Sequence, residues 1–207
     1  MKPNIEAISA MPNGTQPTHL LVVLHGWGAN YQDFVPFAKV LNLPGFGYFF
    51  PNAPFAHFQV PEGKAWYALE NKEFTNLAQS RQLLIDWLKS LEDSTGVPLS
   101  KTVLAGFSQG GAMTLDVGLT LPLAALASFS GYLHYQPQAV AEGIFPPTLI
   151  IHGKQDSIVP LEAAVKARDE LTKIGVPVRY QEFEMAHEVR EPAIALFKQF
   201  IMDEVVA

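Results

Sequence analysis

A serine, an aspartate and a histidine, Ser108, Asp156 and His187, are the residues of this chain whose types and order suit nucleophilic catalysis. Ser108 stands in Gly106-Phe107-Ser108-Gln109-Gly110, which fits G-x-S-x-G, the pattern of a nucleophile elbow. In such an elbow the chain turns from strand to helix so sharply that the serine is held in a strained, exposed conformation. A Cβ two residues to either side would collide with its neighbours, and glycine removes it. The turn aims the hydroxyl over the end of the sheet and leaves the Gln109 N–H, at a helix N-terminus, free to bind an anion. A plain strand-to-helix turn with Ser108 as N-cap shares the short pattern, so the partners of Ser108 decide between the two readings.

In a strand–helix alternating fold the acid and then the histidine follow the serine, each at the carboxyl end of a later strand. His187 lies on a short loop after the last strand-like run and before the last helix-like one. His134 follows an earlier strand and precedes every suitable acid, and His152 ends a strand beside Gly153, where loop fixing by hydrogen bonding is its expected role. Asp156, four residues past that strand, can accept the His187 Nδ1 proton and so leave Nε2 free to take the proton of Ser108. Its plain alternative is a turn former ahead of Pro160. Asp116 sits on the helix that begins at the elbow and cannot reach around to orient His187. Glu184 and Glu188 are the fallback acids.

An oxyanion site needs a second N–H beside that of Gln109, and the glycine-rich turn His25-Gly26-Trp27-Gly28 at a strand end assigns it to Trp27. Gly26-x-Gly28 lacks the third glycine and the following acid of a dinucleotide loop. With no H-E-x-x-H and no paired histidines at ligand spacing, no metal site is expected, and no cofactor.

Those residues must be carried by a frame, and the frame reads as alternating strands and helices. Leu20–Leu24, Phe46–Phe50, Lys101–Phe107, Leu123–Phe129 and Thr148–His152 are short apolar runs suited to strands buried on both faces of a parallel sheet. Ile5–Ser9 reads as an edge strand before a turn at 12–14, and Val178–Phe183 as a last, alternating strand. Helical periodicity predicts helices over 31–41, shortened or kinked by Pro36, and over 75–93, 161–174 and 189–205. The stretch 52–74 reads as a long loop. The expected architecture is one α/β domain over residues 1–207, with about seven strands, helices on both faces and no large cap domain.

Composition bounds the rest. With 207 residues, 48% of them apolar, the chain can build a sizeable core. A net charge of −6 and scattered Lys and Arg argue against nucleic acid. No run approaches the roughly 18 apolar residues of a membrane span, and the start of the chain lacks a signal-like apolar core, so stable membrane insertion is not expected and a cytoplasmic location is. There is no cysteine, which excludes disulfides and thiolate chemistry. A monomer or homodimer is expected.

Taken together, Leu24-His-Gly-Trp-Gly28, Pro51-Asn-Ala-Pro54, Trp66-Tyr67, Gly106-Phe-Ser-Gln-Gly-Gly111, His152-Gly with Asp156 and Val159-Pro160, and the His187 turn resemble the phospholipase/carboxylesterase family, which includes the acyl-protein thioesterases. The resemblance implies an α/β-hydrolase of minimal size, with Ser108, Asp156 and His187 on its triad and Trp27 and Gln109 on its oxyanion positions. Two residues depart from the pattern common in relatives: Ala68 replaces an acid after the aromatic pair, and Ala186 replaces glycine before the histidine.

The expectation is a serine carboxylesterase acting on small acylated molecules of short to medium chain length. An acyl-protein thioesterase and a lysophospholipase are the alternatives, and a non-catalytic ligand-binding relative is the rival of another class. Loop aromatics Phe55, Phe58, Trp66 and Tyr132 are expected to flank an exposed acyl groove without a helical lid.

Overall fold

The fold is described from a computed structural model, over residues 5–12, 14–69, 74–137 and 145–206. The turn expected at 12–14 lies partly outside these residues, as does part of the loop expected at 52–74. Among the described residues nine strands form two sheets. In chain order they are β1 (Ala7–Ala10), β2 (His19–Leu24), β3 (Phe46–Pro51), β4 (Phe55–Ala56), β5 (Lys64–Ala65), β6 (Thr102–Phe107), β7 (Ala125–Phe129), β8 (Thr148–Gly153) and β9 (Val178–Phe183). The main sheet has seven strands in the order β1-β3-β2-β6-β7-β8-β9, and every neighbouring pair is parallel except β1 with β3. β4 and β5 make a separate small hairpin inside the stretch that reads as loop in the sequence. Five α-helices join them: α1 (Val35–Leu41), α2 (Leu77–Thr95), α3 (Gln109–Gly118), α4 (Leu161–Lys173) and α5 (Glu191–Ile201).

The apolar runs behave as a sheet buried on both faces requires. In β2, Leu21 and Val23 point to one side with Val103, Ala105 and Ile151, against α1 and Phe197 and Phe200 of α5. Leu20, Val22 and Leu24 point to the other side with Leu104 and Leu126, against Leu84, Trp87 and Leu88 of α2 and Met113 of α3. Ile150 joins that second face through Ala164, Ala167 and Leu171 of α4. Each such side chain taken from water contributes about 1.5–3 kcal/mol before entropy is counted.

Helix ends depart from the sequence reading where local chemistry decides them. The expected 31–41 helix is a 3₁₀ turn (Tyr31–Asp33), capped by Asn30, followed by α1 with Pro36 in its first turn, where its missing N–H costs nothing. α2 starts late because Phe74 and Asn76 both have positive φ, and it ends at Gly96, whose N–H bonds Glu92 O in a left-handed cap. α5 begins at Glu191, next to Pro192, and its last expected residues form a π turn, Met202–Val206.

Candidate active site

The carboxyl ends of β2, β6, β7, β8 and β9 lie side by side, and the loops that leave them meet over the elbow. Ser108 has φ 55 and ψ −117, strained for a residue with a Cβ, and its N–H bonds Phe129 O at 2.8 Å. The elbow tolerates no bulk at its flanks. A Cβ on Gly106 would lie 2.3 Å from Gly110 O, and one on Gly110 would lie 2.4 Å from Leu24 O.

Ser108 Oγ lies 2.9 Å from His187 Nε2, and His187 Nδ1 lies 2.7 Å from Asp156 Oδ2. The histidine and the acid come from neighbouring loops that are zipped together: Lys154 N–H bonds Phe183 O, and Gln155 N–H bonds Met185 O. Phe107 packs on the His187 ring with centroids 4.7 Å apart. Ala186 meets no conformational obstacle, because it does not adopt a positive φ.

The Asp156 side chain is fully buried. Burial alone would raise its carboxyl, yet the balance is downward. The His187 ring donates to one oxygen, while the N–H groups of Val159 and Ile158, each at 2.9 Å, donate to the other. His152 fixes this loop as expected, donating from Nε2 to Val159 O at 2.8 Å. The fallback acids point elsewhere: Glu184 to Lys154 and Gln155 at the surface, Glu188 to Arg190.

Gln109 is the first residue of α3, so its N–H has no acceptor within the helix. Its side chain is buried and tied at both ends, accepting the Trp66 N–H at 2.9 Å and donating to Tyr67 O at 2.8 Å. Trp27 sits on the turn after β2. That turn is docked on the small hairpin by Gly28 N–H to Lys64 O and Lys64 N–H to Ala29 O. His25 anchors the same turn: Nδ1–H donates to Gly26 O at 2.7 Å, and Nε2 accepts the Ala53 N–H at 2.9 Å.

A groove of about 560 Å³ opens over Ser108, Gln109 and His187. Its walls are Trp27, Leu69, Phe74, Tyr132, Ile158, Val159, Pro160 and Ala163. Of the four aromatics expected to flank it, only Tyr132 does. Trp66 is a correction: it has no exposed surface, and its Nε1–H donates to His25 O at 3.0 Å, so it is core that braces the turn. Phe55 lies in β4, paired with Ala65 and away from the groove. Phe58 is exposed but belongs to a separate cleft on the hairpin, stacked on His57 at 5.1 Å and 6.0 Å from Trp27. Leu69, Phe74, Ile158, Val159, Pro160 and Ala163 are wall residues that sequence reasoning missed. Ile158 to Pro160 lie within four residues of Asp156, the one signal the sequence offered; Leu69 and Phe74 carried none.

Among the described residues no His, Asp and Glu cluster suited to a metal ion occurs, and no helix is long and apolar enough to cross a membrane. A family model described as phospholipase/carboxylesterase matches residues 6–204. Acyl-protein thioesterase 1 of Emericella nidulans is 26% identical over 91% of this chain and 91% of its own length, and that of Candida albicans is 24% identical over 98% and 99%. Among solved structures, the esterase PE8 superposes with a TM-score of 0.89 at 27% identity, covering 97% of this chain and 99% of its own. The Bacillus cereus carboxylesterase reaches 0.84 at 14% identity over 97% and 95%, a likeness of fold alone. An elbow serine within reach of a histidine–aspartate pair, on a frame matched from end to end, leaves one conclusion: the chain is a carboxylic ester hydrolase and belongs to the phospholipase/carboxylesterase family.

Proposed function

We propose that the protein hydrolyses carboxylic esters of short to medium acyl chains through an acyl-enzyme on Ser108. The observation that carries this is the unbroken line Ser108 Oγ, His187, Asp156, with contacts of 2.9 and 2.7 Å, at the base of an apolar groove. Ser108 O–H gives its proton to His187 Nε2 as the oxygen attacks the acyl carbonyl carbon. The carbonyl electron pair becomes an oxyanion, held by the N–H groups of Trp27 and Gln109. His187 returns the proton to the departing alkoxide, and a water repeats the cycle to free the acid. Asp156 keeps the proton on Nδ1 and stabilises the imidazolium. Thioesters are the second reading, supported by the names of the thioesterase relatives and by a leaving thiolate that needs less protonation.

The test is labelling with a fluorophosphonate, followed by peptide mapping. Modification of Ser108, lost in Ser108→Ala, is expected. Absence of labelling, or labelling at another residue, defeats the proposal. A panel of ester, thioester, lysophospholipid and amide substrates then ranks the acyl donors by kcat/KM.

A further inference from the structure

Behind the groove lies a second acid–histidine couple that the hydrolytic steps do not use. Asp116 Oδ2, on α3, is 3.2 Å from His134 Nδ1 and 3.2 Å from Arg81 Nε. The His134 side chain is fully buried, with Nε2 2.7 Å from the Tyr67 hydroxyl, which in turn is 2.6 Å from the Tyr132 hydroxyl. Burial raises both phenols above the ordinary tyrosine range, so both keep their protons.

The Asp116 carboxylate accepts from Arg81 and from His134 Nδ1–H, and hydrogen bonds run on between His134 Nε2 and the Tyr67 hydroxyl and between the Tyr67 and Tyr132 hydroxyls. Tyr67 is therefore held at two places. Its hydroxyl ends in the Asp116–His134 couple, and its carbonyl accepts from the Gln109 side chain, whose other end takes the Trp66 N–H. Tyr132 lines the groove, whereas Tyr67, His134 and Asp116 do not.

We propose that Asp116, His134 and Tyr67 are positioning residues for hydrolysis. The couple fixes Tyr67, Tyr67 clamps Gln109 so that its N–H faces the oxyanion, and the same hydroxyl tethers Tyr132 as a groove wall. The inference rests on the serine-hydrolase reading given above.

A packing role would be met by rings alone, since His134 lies edge-on to Tyr67 at 4.8 Å, Phe74 at 5.2 Å and Tyr132 at 5.7 Å. Tyr67→Phe and His134→Phe keep rings in place and break the chain of protons. Deleting an oxyanion donor costs roughly 100- to 1,000-fold, so displacing one is expected to cost about tenfold. The measurement is p-nitrophenyl acetate turnover per serine titrated with fluorophosphonate, which discounts misfolded molecules. Each variant is expected to lose about tenfold in kcat and in kcat/KM alike, because the lost interaction acts in the transition state. The double variant is expected to lose no more than either single one, since both cut the same chain. Should either aromatic variant fail to fold, Asp116→Asn, which keeps the size of the side chain, is expected to give a several-fold loss of kcat. Turnover within twofold of wild type in the folded variants, or losses that simply multiply in the double variant, overturns the proposal. A wild-type protein that neither labels nor turns over defeats the hydrolase reading and this inference with it.

Discussion

Asp156–His187 and Asp116–His134 are two hydrogen-bonded aspartate–histidine couples among the described residues, and the same chemistry stands in different surroundings. Asp156 and His187 belong to loops at the ends of β8 and β9, and His187 retains some solvent access and meets the strained Ser108 hydroxyl. Asp116 and His134 belong to α3 and the loop after β7, and His134 is sealed beneath tyrosines. The acids differ as well. Asp156 is saturated by two backbone N–H groups and His187, so its charge is spent on orienting one ring. Asp116 shares its charge with Arg81. A carboxylate and an imidazole become a catalytic base only where the far ring nitrogen faces a nucleophile that substrate can reach. Elsewhere the same pair is a brace.

Breaking the two couples separates these roles most sharply. Ser108→Ala and His187→Ala are each expected to lower kcat by about 10⁶-fold, because triad members act as a unit. Asp156→Asn is expected to cost roughly 10⁴-fold through the wrong histidine tautomer. All three should keep the wild-type circular dichroism spectrum. Near-normal turnover in Asp156→Asn would reassign the acid and erase the contrast between the couples.

A third histidine sharpens the comparison because it has no acid at contact distance. Burial pulls the His25 imidazole down to about 4; the Gly26 carbonyl and Asp33 oppose this in part, and Lys64 adds to it. Its folded value lies below the ordinary 6.5, so between those values the unfolded chain binds a proton that the folded chain refuses. Stability is therefore complete above pH 6.5 and falls as the pH drops toward 4, by about 3 kcal/mol at 1.36 kcal/mol per unit. Asp156 adds an acid-labile share of the same sign at lower pH, since its carboxyl is depressed in the folded state. Urea unfolding at pH 7, 5.5 and 4.5 measures the His25 limb, and His25→Gln should flatten it. Equal stability at pH 7 and 4.5 in the wild type would show that His25 takes up its proton without disturbing the Gly26 and Ala53 contacts.

How much of this was legible in the sequence follows from what sets each feature. The meeting of Ser108, Asp156 and His187 was readable because strand alternation and chain order locate loops at one edge of the sheet, and few acids and histidines fall on those loops. The roles of the loop aromatics were not. Trp66 and Phe58 are both large aromatics of the 52–74 stretch, yet one is core and the other exposed, because the β4–β5 hairpin folds back on the turn after β2. No periodicity marks two-residue strands. The Asp116–His134 couple was equally hidden. It arises because β6 and β7 are neighbours, which lays the helix after one beside the loop after the other, and a separation of 18 residues carries no signal of that.

The smallest expected effect concerns the rim of the groove over Ser108 and His187. Ile158 is 69% exposed, Leu69 40% and Trp27 37%, and all three line the groove, so its mouth is apolar and open among the described residues. Each methylene an acyl chain buries there is worth up to about 0.8 kcal/mol, or about fourfold in kcat/KM. The p-nitrophenyl esters should therefore climb from acetate by up to fourfold per carbon and level off once the chain outgrows the walls. Ile158→Ser should lower the slope of that climb by a few-fold overall while leaving the acetate rate nearly as it was, because acetate is too short to meet the rim. The expectation is therefore a groove that needs no activation at a lipid surface. Rates should pass smoothly through the concentration at which the longer esters form micelles. A sharp rise at that concentration, or a preference for long-chain triglyceride emulsions, would mean that the exposed rim answers to an interface, and the groove would then be that of a lipase.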